Sequence, residues 1–383
     1  MLREAAIMLY LLVFRVFFSI FQLYPQQAKT TFVASFGDNV LFTLNALEKQ
    51  VNHSIVILKT SQCKMDFERR CDCLVLAFDP KNVIGWIRSI YHLATSTHVF
   101  VDNYFGFLAA TRFKPNVICI QLWHAAGAIK RFGLKDPSIQ NRSPRALKRF
   151  IKVYSRFDYV VVGSRKMADI FHESFGIETE KMLRTGIPRT DFFFHKKAME
   201  KAADFLKTKI PIIHGKKVLL FAPTYRDNDI HNSRLKLNID RMYQELNEDY
   251  VLLLRLHPAI QTTFCNMYPD FICDVSGYSE VNPLLVISDI LITDYSSIPF
   301  EFSLLHKPMI FFAYDLDVYT SARGFWEPYE QLVPGPIVKN TEELIKEIRN
   351  NRDEYLERVQ TFANDWNEYS RGDSSDRLIK YLY

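Results

Sequence analysis

The chain alternates short apolar runs with longer amphipathic stretches over most of its 383 residues. The apolar runs are too short for helices, and polar or turn-forming residues flank most of them. This pattern predicts buried strands of an open, mostly parallel sheet that are separated by helices. The candidate strands of a first sheet are residues 31–35, 54–58, 74–78, 98–101, 117–122 and 159–162.

The alternation breaks once and then resumes. Residues 195–217 are polar and charged and include Pro211 and Gly215, which predicts a linker between two domains. A second set of candidate strands follows at 218–221, 251–256, 290–292 and 309–312, and residues 341–383 have a charged, helical pattern. We therefore predict an α/β fold with two similar domains and a ligand cleft, divided as residues 1–28, 29–195, 196–350 and 351–383.

The first 28 residues are expected to associate with a membrane. Residues 5–24 are mostly Leu, Ile, Val, Phe and Met, interrupted by Arg15, and no signal-peptide cleavage site follows them. An arginine at the centre of a bilayer costs about 2.5–3.5 kcal/mol on insertion scales. We therefore favour an interfacial helix on the cytoplasmic face of the membrane. A transmembrane helix, or a helix packed on the protein's own surface, are the alternatives.

The charge of the chain is unevenly distributed. The net charge is +5, but residues 112–156 contain eleven Lys or Arg residues and one acidic residue, Asp136. This segment predicts an anionic partner, such as lipid headgroups or a polyphosphate substrate, although a solvated basic helix is the simpler interpretation. No nucleic-acid-binding signature is present. The six cysteines form no CxxC pair, so we expect reduced thiols and no metal site.

Polar residues follow five of the predicted strands. Because ligands bind at the carboxyl ends of parallel strands, these residues are candidates for a functional site. Imidazole exchanges protons near neutral pH, whereas arginine and helix-capping hydroxyls bind phosphoryl oxygens, so this set suggests phosphoryl transfer. A serine that only caps a helix is the simpler interpretation of the last motif. The candidates are His124, Arg226, Arg255, His257, Thr293, Asp294, Ser296 and Ser297.

These motifs together resemble one family, the CDP-glycerol glycerophosphotransferases of teichoic acid synthesis. The resemblance covers roughly residues 115–350, and each motif alone is weak. The family usually has Trp-His-Gly-Thr, whereas Ala125 and Ala126 follow His124 in this chain. The matching segments are Gln121 to Gly127, Thr185 to Asp191, Ala222 to Asp227, Leu254 to Pro258 and Ser288 to Ser297.

The resemblance implies two Rossmann-like domains of the glycosyltransferase-B (GT-B) type and transfer of glycerol phosphate from CDP-glycerol, with release of CMP and no cofactor. The acceptor is expected to be a polyprenyl-diphosphate-linked saccharide or a glycerol-phosphate primer. By position, His124 and His257 match the two essential histidines. We expect His124 to deprotonate the acceptor hydroxyl and His257 to contact the phosphate, with the reverse assignment as the alternative. The resemblance implies that Arg255, Ser296 and Ser297 surround the donor diphosphate and that Glu301 lies near the ribose. From their own positions after strands, Arg226 is expected to neutralise phosphate charge, and Thr293 and Asp294 are expected to complete the substrate-binding set.

Two other classes of function remain open at this stage. A transferase of the same fold using CDP-ribitol or a nucleotide sugar differs in the donor it consumes. A membrane-bound scaffold that binds polyanions differs because it binds without turnover. We favour a primase that adds one glycerol phosphate to a lipid-linked disaccharide.

Overall fold

The computed structural model describes residues 2–71, 73–224, 226, 235–256, 266–350 and 353–383. Contacts divide the chain into two compact units. The first contains Met1–His124, Phe132–Asp191 and Tyr369–Tyr383, and the second contains Ala125–Arg131 and Phe192–Glu368. The boundaries that the sequence suggests, at residues 28, 195 and 350, stay predictions.

Within the described residues, the strands form two parallel sheets with the orders β3-β2-β1-β4-β5-β6-β7 and β10-β9-β8-β11-β12-β13. All ten predicted strands are present. The strands not predicted are β7, β10 and β13, which have two or three residues; β6 is equally short, but the longer apolar run 159–162 predicted it. The strands are β1 (Gln27–Ala34), β2 (Ser54–Lys59), β3 (Leu74–Ala77), β4 (Ser96–Val101), β5 (Ile118–Gln121), β6 (Tyr159–Val161), β7 (Met182–Leu183), β8 (Lys217–Ala222), β9 (Tyr250–Leu254), β10 (Ile272–Asp274), β11 (Ile290–Thr293), β12 (Met309–Phe312) and β13 (Ile337–Val338).

Helices connect the strands, as the α/β prediction requires. They are α1 (Leu2–Phe21), α2 (Asp38–Gln50), α3 (Val83–Thr95), α4 (Pro144–Tyr154), α5 (Arg165–Phe175), α6 (Lys196–Lys209), α7 (Ile239–Leu246), α8 (Val281–Ile287), α9 (Ile298–Phe302), α10 (Leu316–Arg323), α11 (Tyr329–Leu332), α12 (Thr341–Arg349), α13 (Asp353–Trp366) and α14 (Ser374–Leu382). Most of the stretch predicted as a linker is therefore α6. Helix α6 is largely exposed, and Leu206 is its buried residue, so its sequence is polar and resembles that of a linker.

Each sheet is buried by apolar side chains. In the second unit, Leu219, Leu252, Ile292 and Ile310 come from four adjacent strands and are fully buried in one core. Such near-continuous apolar strands are typical of parallel sheets covered on both faces. The order of the strands places β1 next to β4 and β8 next to β11, so the loops after these paired strands are neighbours.

The last helix, α14, belongs to the first unit. Its first two backbone N–H groups, at Ser374 and Ser375, donate to the carboxylate of Asp191 at 2.8 and 2.9 Å. A carboxylate at a helix N-terminus satisfies donors that lack partners within the helix and complements the helix dipole. Asp191 thereby fastens the C-terminal helix to the unit that contains the N-terminal sheet.

Helix α1 lies on the surface of the first unit. Phe14 and Phe18 are fully buried, and the Phe14 ring lies 5.2 Å from that of Phe107 and 5.9 Å from that of Trp86. The opposite face is apolar but exposed, with Leu9 at 62% and Leu12 at 57%. By length and composition the helix is able to cross a membrane, yet one face packs on the protein. The self-packed alternative is therefore correct for the buried face, while attachment of the exposed face to a membrane stays a prediction.

One prediction about the cysteines is wrong. Cys71 and Cys73 are joined in a disulfide, although we expected reduced thiols throughout. The chain brings their Cα atoms to 5.3 Å, a distance that permits bridging. Cys63 and Cys119 are buried free thiols, as expected.

The packing of α1 predicts the effect of removing one ring. Phe14→Ala should lower the free energy of opening α1 by about 3 kcal/mol, because it leaves a cavity against Trp86 and Phe107. Leu12→Ala, on the exposed face, should change it by less than about 0.5 kcal/mol. Hydrogen exchange of the α1 amides measures both. Equal effects from the two variants would show that α1 does not rest on this face.

Candidate functional site

In the first unit, the candidate site is built around His124, which follows β5. Its Nδ1 lies 3.2 Å from the backbone carbonyl oxygen of Asp102, at the end of neighbouring β4. The imidazole stacks on the ring of Phe36, with centroids 4.1 Å apart and planes 8° apart, and on Trp123 at 4.4 Å and 29°. The imidazole is therefore in stacking contact with two aromatic rings, those of Phe36 and Trp123.

Asp102 holds the loop that carries Phe36. Its carboxylate accepts the backbone N–H groups of Ser35, Phe36 and Gly37 at 2.8 to 3.1 Å. Asp102 is fully buried, and burial raises its pKa to about 6, while the three N–H groups oppose that rise. The carboxyl group is therefore ionised at neutral pH, where a charged acceptor binds N–H groups most strongly.

Trp123 adopts a backbone conformation that is uncommon outside glycine. Its φ is +58°, in the left-handed region. The side chain of Gln121 accepts its N–H at 2.8 Å, and the amide of Asn39 donates to its carbonyl at 2.9 Å. These contacts from β5 and α2 hold the turn that aims His124 away from the strand direction.

In the second unit, Asp294 occupies the position that Asp102 has in the first. It directly follows β11 and accepts the backbone N–H groups of Thr224, after neighbouring β8, at 2.7 Å and of Tyr295 at 2.6 Å. Thr293 donates its hydroxyl to the carbonyl of Ala222 at 2.6 Å. Both side chains are buried. They join the ends of two strands, while their predicted part in substrate binding stays a prediction.

Arg226 is bound by two carboxylates. Its Nε and one Nη donate to Asp315 at 2.9 and 3.0 Å, and the same Nη lies 2.9 Å from Asp294. The other Nη donates to the carbonyl of Thr224 at 2.6 Å. The guanidinium also lies 4.9 Å from the ring centroids of Tyr295 and Tyr319. Arg226 thus stabilises the turn at Asp294 from within, a role that sequence reasoning missed.

The pKa shifts in this cluster follow from burial and pairing. Burial disfavours the charge on Arg226, but its hydrogen bond to Asp315 and the charge of Asp294 outweigh this and raise its pKa. Burial also acts on Asp315, yet the contact with Arg226 lowers the pKa of that carboxyl. For the fully buried Asp294, burial dominates and raises the pKa, with Arg226 opposing the shift. Removing one partner from such a buried ion pair destabilises the fold, because it leaves the other charge buried without compensation.

Ser296 and Ser297 are half-buried between Asp294 and α9. Ser296 Oγ accepts the N–H of Ile298 at 3.3 Å, whereas Ser297, the N-cap residue of α9, forms no side-chain capping hydrogen bond. Helix α9 has only five residues and therefore a small dipole. An anion at this turn would be bound by hydroxyl and backbone N–H groups. Arg255, which follows β9, donates to the carbonyl of Tyr278 at 2.8 Å.

Glu301 binds the segment that follows His124 in the chain. It is fully buried on α9, and its Oε1 accepts the N–H of Ala126 at 3.2 Å. A Cβ on Gly127 would lie 2.6 Å from the ring of Phe300, so this segment approaches α9 as closely as a glycine allows. The backbone of Lys130 then forms an isolated antiparallel β-bridge with that of Phe325. The segment Ala125–Arg131 is thus integrated into the second unit, beside Glu301.

The predicted site residues divide into three groups. Arg226, Thr293 and Asp294 meet in one cluster, with Ser296 and Ser297 following in the same turn. His124 has its own surroundings in the first unit, and Arg255 and Glu301 lie on other elements of the second unit. His257 lies outside the described residues.

Sequence reasoning missed Phe36, Asp102 and Asp315. An aspartate directly after a buried strand was the available signal for Asp102. Among the described residues, no group of three or more His, Cys, Asp or Glu side chains is arranged to hold a metal ion.

Two Rossmann-like units, each with polar groups after its central strands, define the α/β fold class of GT-B transferases. The chain belongs to the CDP-glycerol:poly(glycerophosphate) glycerophosphotransferase family, whose model matches residues 35–383. This confirms the predicted family, the fold class and the transferase activity in teichoic acid synthesis.

Individual relatives are similar over most of the chain. A teichoic acid glycerol-phosphate primase of Bacillus subtilis (strain 168) is 38% identical over 93% of this chain and 92% of its own length. A teichoic acid ribitol-phosphate primase of Bacillus spizizenii is 35% identical over 77% of this chain and 76% of its own. A structure of the wall teichoic acid polymerase TagF has a TM-score of 0.82 and 25% identity, covering 100% of this chain and 97% of that one.

The cluster around Arg226 predicts a large loss of stability when its cation is removed. Arg226→Gln should lower the free energy of unfolding by about 3–5 kcal/mol, because Asp294 and Asp315 then lose their counter-ion. The matched control is Arg241→Gln, which removes a half-exposed guanidinium 2.8 Å from Glu245 and should cost less than about 1 kcal/mol. Urea unfolding compares the two. Similar losses would contradict an internal role for Arg226.

Proposed function

We propose that this protein is a primase that transfers one glycerol phosphate from CDP-glycerol to a polyprenyl-diphosphate-linked saccharide. The main support is the extent of the similarity to the Bacillus subtilis glycerol-phosphate primase, which covers 93% of this chain and 92% of that protein. Family membership carries the donor, CDP-glycerol. The acceptor, the number of units added and the roles of individual residues are the parts of the proposal that need testing.

His124 acts as the general base in this proposal. If its Nδ1 carries the proton and donates to the Asp102 carbonyl, the basic lone pair lies on Nε2. Nε2 takes the proton of the acceptor hydroxyl as its oxygen attacks the β-phosphorus of CDP-glycerol. A new P–O bond forms, the bond from the β-phosphorus to the bridging oxygen breaks, and CMP leaves. His257 binds the phosphate oxygens on which negative charge develops; the two histidines exchange roles in the alternative assignment.

The donor diphosphate is assigned to Ser296, Ser297 and Arg255. Two hydroxyls and one guanidinium supply the donors that phosphate oxygens accept. Arg226 and Asp294 support this binding indirectly, because their ion pair holds the turn that carries the two serines. Two further predicted residues have comparable supporting contacts: Thr293 joins β11 to β8, and Glu301 holds Ala126.

The histidine assignments predict a loss of turnover without a loss of fold. His124→Gln and His257→Gln should each reduce CMP release from CDP-glycerol by at least about a hundredfold, since a general base contributes 10²–10⁴-fold. The assay uses a synthetic polyprenyl-diphosphate-linked disaccharide, and the mass of the product reports the units added. His195→Gln, at an exposed position before α6, is the control.

Three outcomes would contradict parts of this proposal. Wild-type turnover in His124→Gln would remove His124 as the base. Preferred turnover of CDP-ribitol would favour the ribitol alternative, to which a 35% identical relative corresponds. Products of many units would identify a polymerase.

Peripheral attachment to the membrane is part of the proposal, because the acceptor is a lipid. Helix α1 presents an exposed apolar face, and α4 lies beside it, joined by an ion pair of 3.1 Å between Glu4 and Arg149. Arg145 and Lys148 of α4 are exposed. An apolar helix face next to cationic side chains is the combination that binds anionic lipid surfaces.

Vesicle binding tests this attachment. Leu9→Glu with Leu12→Glu should weaken binding to phosphatidylglycerol-containing vesicles by at least about tenfold, because two side chains no longer enter the interface. Arg145→Gln should weaken it about fivefold, or about 1 kcal/mol, and only at low salt. Val318→Glu, 72% exposed on α10, is the control. Equal binding of all variants, or of phosphatidylcholine vesicles, would argue against this surface.

A further inference from the structure

We propose that Phe36 is a positioning residue for the imidazole of His124. We propose further that Asp102 holds Phe36 in place through its hydrogen bond to the Phe36 backbone. The inference rests on the proposed role of His124 as the general base. Phe36 stacks on the imidazole at 4.1 Å, and its own backbone N–H donates to Asp102 at 2.9 Å. Asp102 also accepts from His124 Nδ1 through its backbone carbonyl. A single buried residue therefore fixes both the tautomer of the base and its stacking partner.

The surroundings of Phe36 indicate a role outside the core. Its side chain is 46% exposed, so burial contributes less to its placement than for a core phenylalanine. Its backbone is nevertheless tightly held. Gly37 has a φ of +100°, and a Cβ there would lie 2.8 Å from Met65 Cβ, so the loop follows a path that a side chain at Gly37 would obstruct. A half-exposed ring on a fixed backbone can restrain its neighbour without being part of a packed interior.

The restraint acts on the rotation of the imidazole. An imidazole stacked against both Phe36 and Trp123 cannot turn about its Cβ–Cγ bond without displacing one of them. Such a turn would also break the contact of Nδ1 with the Asp102 carbonyl. A base works only when its lone pair is directed at the hydroxyl proton, and displacement by about 1 Å can cost a hundredfold in rate. Loss of Phe36 should therefore reduce turnover rather than substrate binding.

The first experiment replaces the ring. Phe36→Leu keeps an apolar side chain but removes the flat face, and kcat should fall about ten- to a hundredfold with little change in KM for CDP-glycerol or for the synthetic lipid-linked disaccharide. Phe36→Tyr retains the stacked face and should restore kcat to within about threefold of wild type. The control is Phe205→Leu on α6 of the second unit, a residue that is 50% exposed, and it should leave kcat unchanged.

The second experiment asks whether Asp102 acts through Phe36. Asp102→Asn removes the charge and leaves one oxygen for the three N–H groups, so kcat should fall about tenfold or more. If both residues act on the same ring, the double variant should be little worse than the poorer single variant, because effects within one unit are not additive. Thermal unfolding checks that each variant is folded. If Asp102→Asn does not fold, the Phe36 variants alone decide.

The outcomes separate this inference from the proposed function. Wild-type activity in His124→Gln would overturn the general-base assignment and the inference with it. An inactive His124→Gln combined with wild-type kcat in Phe36→Leu would overturn the inference alone. A rise confined to the acceptor KM, with kcat unchanged, would also overturn it, since Phe36 would then be an acceptor contact. Strictly multiplicative losses in the double variant would separate Asp102 from Phe36.

Discussion

Each unit depends on a buried carboxylate directly after a central strand. Asp102 follows β4 and accepts three backbone N–H groups from the loop after neighbouring β1. Asp294 follows β11 and accepts one N–H from the loop after neighbouring β8, at Thr224, and one from Tyr295 in its own loop. Backbone donors at the end of a parallel strand have no ladder partner there, and leaving them buried and unpaired is costly. A carboxylate satisfies two or three at once, provided that it is ionised. The loops that carry the candidate site residues are therefore held by charge as well as by packing.

The two units compensate that buried charge differently. Asp294 has Arg226 beside it, and Arg226 in turn binds Asp315 and lies against tyrosine rings. The positive charge of a guanidinium that is bound by two carboxylates is already neutralised by the protein. Arg226 is therefore a poor candidate for neutralising a diphosphate, and the proposed function assigns that role to Ser296, Ser297 and Arg255. Asp102 relies on three backbone N–H groups, and its carboxyl has a pKa of about 6.

Much of this organisation is readable from the chain. The apolar runs predicted ten of the thirteen strands in the described residues, since burial on both faces leaves a signal even in a short run. The histidine and serine motifs placed His124, Ser296 and Ser297 at strand ends, where they are found. The pairing of Arg226 with Asp315, 89 positions away, was not predictable, because nothing local distinguishes a cation that binds the protein from one that binds a ligand. Phe36 was missed because an aromatic residue beside a turn is usually core.

The two units carry different structural features, and on the proposed function these features correspond to two different substrates. The first unit carries α1, with its exposed apolar face, together with His124. The second carries the serine turn and Arg226. A lipid-linked acceptor diffuses in the plane of a membrane, whereas a nucleotide donor arrives from water, so an enzyme that joins them needs a membrane-facing unit and a solvent-facing one. On the proposed function, the base belongs with the acceptor and therefore with the membrane helix. The grouping of His124 with α1 in one unit agrees with that part of the proposed function.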